Sequence, residues 1–169
     1  MTTAELLADA LSRVREVVHA VTAGLTPDQL TFRPQPDANT IAWLIWHLTR
    51  VQDDHVSEVA GTDQEWTSGG WAARFGLPFD HSATGWSHSS EEVGRVRVDS
   101  VALLTGYYDA VHERSLEFFA GLADADLDRV VDERWDPPVT LGVRLVSVID
   151  DDAQHAGQAA YLRGLLTGA

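Results

Sequence analysis

Apolar residues recur three or four positions apart through four long stretches of this chain, and that spacing is the signature of amphipathic helices. In the first stretch Leu6, Leu7, Leu11, Val14, Val18 and Val21 carry it, from Thr3 to a stop at Gly24. Thr3 or Thr2 can cap its start. The second is capped by Asn39 or Thr40 and runs from Ile41 to Ala60-Gly61. Its first half is apolar on nearly all sides, and its second half, from Gln52 to His55, is polar. The third opens on the capping box Ser89-Ser90-Glu91-Glu92 and is expected to continue to about Ala120. The fourth is capped by Thr140 and extends from Leu141 to about Leu166. Short elements are expected at Thr26-Pro27-Asp28-Gln29 and between Asp124 and Asp132, whereas Arg33-Pro34-Gln35-Pro36 and Trp135-Asp136-Pro137-Pro138 are too proline-rich for helix. The pattern predicts an all-α fold, an antiparallel-type four-helix bundle forming one domain over residues 1–169.

Residues 61–88 do not follow the helical period. Glycine is frequent there, and Trp66, Trp71, Phe75, Phe79 and Trp86 recur irregularly. So many aromatic side chains need a surface to pack on. The segment reads as a long ordered loop between the second and third helices, folded over one end of the bundle.

Composition removes several chemistries. There is no cysteine, which excludes disulfides, thiolate metal sites and cysteine nucleophiles. All twelve basic residues are arginine, so there is no lysine for a Schiff base or a phosphate-gripping loop. The formal net charge of −14 opposes nucleic acid and anionic lipid as partners. No apolar run approaches the ~20 residues of a membrane span. The first residues lack a signal-peptide pattern, so a cytoplasmic location is expected. Histidines and carboxylates remain as the reactive groups.

Two segments stand out among them. His47 lies within Trp43-Leu44-Ile45-Trp46-His47-Leu48, and a histidine so placed needs a polar partner, either a backbone carbonyl or a bound ion. Asp151 and His155 are four apart on the last helix, which puts them on one face a turn apart. Flanking Leu145, Val148, Ile149, Ala159 and Leu162 aim that face inward. A surface Asp–His pair would have the same spacing, and Asp152 is an alternative carboxylate. Taken together, His47, Asp151 and His155 can converge as two histidines and one carboxylate around a divalent metal with open positions, suited to zinc, iron(II), nickel or manganese. His55 is two turns from His47, too far to share that ion. Asp54 reads as a solvated helix end, and His19, His81, His88 and His112 as surface residues. Trp43 can wall the site, Gln158 can support Asp151, and Arg74 can grip a substrate carboxylate or simply sit on the loop surface.

The sequence resembles the DinB-like superfamily, which includes the mycothiol-dependent maleylpyruvate isomerase group. The resemblance rests on Asn39-Thr40-Ile41-Ala42-Trp43-Leu44-Ile45-Trp46-His47-Leu48 and on Asp151-x-x-x-His155-Ala156-Gly157-Gln158, with helix order extending it along nearly the whole chain. It implies a four-helix bundle whose metal ligands are His47, Asp151 and His155. Asp151 departs from the His or Glu usual in that family. The resemblance also implies transfer or isomerisation through a low-molecular-weight thiol such as mycothiol, acting on a small-molecule substrate. The lysine-free, arginine- and alanine-rich composition fits a high-GC, actinobacterial genome. Two other readings stand beside this one: hydrolysis by metal-activated water, and a non-catalytic bundle that only binds a metal or small molecule. A homodimer is expected, because the many tryptophans leave apolar surface to cover.

Overall fold

A computed structural model of the chain describes residues 1–168. Four long helices dominate it: α1 (Thr3–Thr22), α3 (Ile41–Ala60), α7 (Val101–Ala120) and α8 (Leu141–Thr167). Between them lie α2 (Pro27–Leu30), α4 (Glu65–Ser68), α5 (Trp71–Phe75), α6 (Ser90–Arg95), a 3₁₀ turn over Asp124–Asp128, and the two short strands β1 (Val130–Asp132) and β2 (Val139–Thr140). The all-α expectation holds. The antiparallel β1–β2 pair spans the proline-rich connector before α8.

Local chemistry explains the boundaries. Thr2, rather than Thr3, caps α1, in a reciprocal capping box with Glu5. Thr40 accepts from the Trp43 amide at the start of α3, and Gly61 ends that helix in the left-handed conformation. The third predicted helix is broken. Val96 is extended at ψ 95°, and α7 starts only at Val101. The sequence Arg95-Val96-Arg97-Val98 alternates with period two, and both valines are buried, so a short extended segment buries them better than a helical turn would.

The helices pack in the cyclic order α1, α7, α3, α8. At one end the core gathers Leu7 and Leu11 of α1, Val56 and Val59 of α3, Phe119 of α7, and Leu141 and Leu145 of α8. The starts of α1 and α8 therefore meet the ends of α3 and α7. Consecutive α3 and α7 run in the same direction, which corrects a simple antiparallel sequence to an up–down–down–up order. A helix of 20 residues is about 30 Å long, and the chain must travel back that distance between α3 and α7. The aromatic-rich segment, α6 and the extended valines are this crossover. Its length is a topological requirement.

Buried polar groups of α3 bind the crossover. Arg50 is fully buried; its Nε donates to Ala83 O at 3.1 Å and its Nη1 to Gln64 Oε1 at 2.9 Å. The Asp53 carboxylate accepts from the Glu65 and Trp66 amides at 2.9 and 2.7 Å and from the Tyr107 hydroxyl at 2.7 Å. Trp66 and Phe75 pack into the core against Tyr107. Trp71 and Phe79 are half-buried, and Trp86 is 83% exposed, so the expected aromatic cover is real but incomplete. The part of α3 read as polar and solvated thus contains two buried residues, Gln52 and Asp53. No described helix is long and apolar enough to cross a membrane.

Candidate metal centre

The site lies where α3 and α8 pack against each other and the crossover covers the seam. His47 is 4% exposed. Its Nδ1 is 2.6 Å from Thr84 O. A carbonyl can only accept, so Nδ1 carries the proton and Nε2 keeps a free lone pair. Gly85 follows at φ +96°, with its Cα so close that a Cβ would lie 2.7 Å from His47 Nδ1. Trp43, one turn earlier, stacks on the His47 ring at 4.5 Å between centroids. Burial pulls the His47 pKa below the ordinary histidine value, which favours the neutral, ligating form.

His155 reaches the same point from α8. Its Nδ1 donates to Asp151 O, one turn back on its own helix, at 2.8 Å. In the neutral ring Nε2 then keeps its lone pair, as in His47. The two imidazoles meet edge to face with centroids 4.7 Å apart. One ligand atom from each of His47, Asp151 and His155 lies within 4.8 Å of the others. Asp151 Oδ2 is buried with no hydrogen-bond partner. A carboxylate oxygen with no hydrogen bond, 3.5 Å from His155 Nδ1 and clustered with two imidazoles, fits a divalent cation in charge and donor type, and three protein ligands leave coordination positions open.

The chain that builds this seam matches the mycothiol-S-transferase family model over residues 6–168. It belongs to that family, a DinB-like one. It is also similar to a solved structure, a conserved protein from Enterococcus faecalis, at 33% identity and a TM-score of 0.93, with 100% of this chain and 99% of that one covered. Comparison with curated proteins returns no match.

Several individual expectations need correction. The inward stripe of α8, through Leu145, Val148, Ala159 and Leu162, carries Asp152 rather than Asp151. Asp151 and His155 lie one residue round, on the flank facing α3 and the crossover. Asp152 is fully buried, and both its carboxylate oxygens lack partners. Burial, with the Asp151 charge adding to it, holds Asp152 well above the usual carboxylate range. An unfolded chain releases that proton near pH 4, whereas the folded chain keeps it, so this residue lowers stability as pH rises, by up to about 1.4 kcal/mol per pH unit. Asp152→Asn removes the titration. Its melting temperature relative to wild type should climb between pH 5 and pH 8; parallel curves would contradict this.

His88 and His112 are not surface residues. His88 accepts from Trp43 Nε1 at 3.3 Å and lies against Trp46 and Phe79. His112 is 5% exposed and stacks on Tyr108. His19 pairs with Asp109 at 2.8 Å. Asp54 accepts from Gln64 Nε2 at 2.7 Å, and Arg74 lies over the Trp71 ring on the crossover surface. Gln158 is exposed. Thr84, Gly85 and Arg50 were missed as contributors to the site. Their role depends on contacts more than thirty residues away, and no local pattern signals it.

Proposed function

We propose that this protein transfers a low-molecular-weight thiol, mycothiol, to a small electrophile, in a reaction that depends on a divalent cation, zinc first, held by His47, Asp151 and His155. The observation that carries the reading is the buried Asp151 Oδ2, without a hydrogen bond, clustered with two histidines whose Nδ1 atoms are both turned to backbone carbonyls, which leaves Nε2 of each to ligate. Membership of the mycothiol-S-transferase family supports the thiol. The chain has no cysteine, so the reacting sulfur comes from a separate molecule.

When bound, the cation supplies the Lewis acidity that lets a thiol lose its proton at neutral pH. The protein's own groups do the rest. Thr84 O and Asp151 O hold both imidazoles in the ligating tautomer. Trp43 and the crossover exclude water from one side of His47. Asp151 offsets part of the cation's charge. The sulfur forms a bond to the electrophilic carbon, the leaving group departs with its electron pair, and the thiol proton passes to solvent.

The test uses mycothiol and monobromobimane, from which bromide leaves. Conjugate formation should exceed the uncatalysed rate, stop after chelation and return with added zinc. Full turnover after chelation, or none with the zinc-loaded protein, would contradict the proposal.

A further inference from the structure

A cavity of about 240 Å³ opens beside the candidate metal ligands, and Asp151 forms part of its wall. The opposite wall comes from the second half of α3, through Asp54 and His55, and Trp86 of the crossover stands at its edge. His55 has its Nδ1 3.2 Å from Arg144 Nη1. An arginine has donors only, so His55 Nδ1 accepts and the ring proton sits on Nε2. This is the reverse of the tautomer held in His47 and His155. Arg144 is fixed from behind by Asp132, whose Oδ2 accepts from Nη2 at 3.0 Å. Burial and the Arg144 charge both favour the neutral ring. Among the described residues no protein acceptor takes the His55 Nε2–H, and that nitrogen is not among the buried unpartnered atoms. His55 lines the cavity, and its Nε2–H is left as a donor of fixed orientation for a ligand there.

The rest of the lining says what such a donor can meet. Asp54 and Asp151 are carboxylates, and no lysine or arginine lines the cavity. With Asp151 given to the cation, a ligand carboxylate at the His55 end would still face Asp54, 3.9 Å from the His55 ring, with no lysine or arginine in the lining to pair it, so the acceptor there is a neutral oxygen. We infer that His55 contacts substrate, donating its Nε2–H to a hydroxyl or amide oxygen of the thiol that fills the cavity next to Asp151, and so selects neutral thiols over carboxylate-bearing ones. Arg144 is the positioning residue that fixes the tautomer. The inference rests on the proposed thiol transfer at this site.

The zinc-loaded protein is assayed with mycothiol, a neutral and hydroxyl-rich thiol, and with glutathione, which carries carboxylates. In His55→Ala, zinc affinity stays within about twofold of wild type, while KM for mycothiol rises about tenfold with a much smaller change in kcat, the size of one lost hydrogen bond. His55→Gln, which keeps an N–H donor, recovers part of that loss. Glutathione, already poor, loses little more. Nitrogen-15 spectra of the wild type show the proton of His55 on Nε2, and Arg144→Gln lets it redistribute. An unchanged KM in His55→Ala with zinc bound, or a proton on Nδ1 in the wild type, overturns the role of His55 alone. A wild type that binds no zinc, or binds zinc and leaves mycothiol unreacted, overturns the site reading and this inference together.

Discussion

His47→Ala and His155→Ala should each raise the Kd for zinc by well over 100-fold. Loss of a supporting hydrogen bond around a metal ligand costs about 10–100-fold, and loss of one ligand from three costs more, because the remaining two no longer define a position. The controls are His112, as buried as His47, and the half-buried His55. His112→Ala removes a half-stacked core ring on α7, and His55→Ala removes a cavity wall, yet neither takes a group from the set within 4.8 Å. Both should bind zinc nearly as the wild type does. Isothermal titration of the four variants separates the outcomes. A site emptied by His55→Ala but filled in His47→Ala would refute the ligand assignment. Asp151→Glu restores a residue usual in the wider superfamily and should keep or tighten binding; Asp151→Leu should abolish it.

The second large effect comes from a residue with no side chain. Gly85→Ala is expected to cost about 10–100-fold in zinc affinity without replacing a ligand. Two independent causes act there. The backbone sits at φ +96°, which a residue with a Cβ adopts only under strain of about 1–3 kcal/mol. The added methyl would also come 2.7 Å from His47 Nδ1, so the ring must turn or the Thr84 carbonyl must withdraw. Either movement loses the hydrogen bond that keeps the lone pair on Nε2. Gly61→Ala is the matched control. It has the same left-handed strain at φ +68° but nothing within 4 Å of the new methyl. It should lower the melting temperature and leave zinc binding unchanged. Equal zinc affinity in both glycine variants would show that the crossover does not orient His47.

The pair of variants also marks what a linear reading can and cannot reach. The four long helices were legible because burial on a helix repeats every three or four residues. His47 was legible for the same reason: it interrupts an apolar face and so needs a partner. The structure groups Asp151, not Asp152, with His47 and His155, but not for the reason the spacing suggested. The inward stripe of α8 carries Asp152, and only the packing of α3 against the flank brings Asp151 to His47. The break at Val96–Ser100 was readable in its period-two valines, but a continuing apolar pattern on either side masked it. The parallel course of α3 and α7 was not readable at all, since helix direction is set by the crossover's path and not by any local spacing. For the same reason Thr84, Gly85 and Arg50 carried no signal. Arg50 shows the difficulty best: it lies three residues after His47 on α3, where an arginine reads as surface, and it is fully buried with its donors on the backbone and side chains of the crossover.

The central claim is that His47, Asp151 and His155 together hold a divalent cation through the two Nε2 atoms and the buried Asp151 oxygen. Crystals of the zinc-loaded protein, measured on both sides of the zinc absorption edge, test it most directly. The account predicts one strong anomalous peak on the α3–α8 seam, in contact with Nε2 of His47 and of His155 and with a carboxylate oxygen of Asp151, while Nδ1 of His47 stays on Thr84 O. A peak seated instead on Asp54 and His55, on Asp152, or on an Nδ1 atom of either ligand histidine would contradict it.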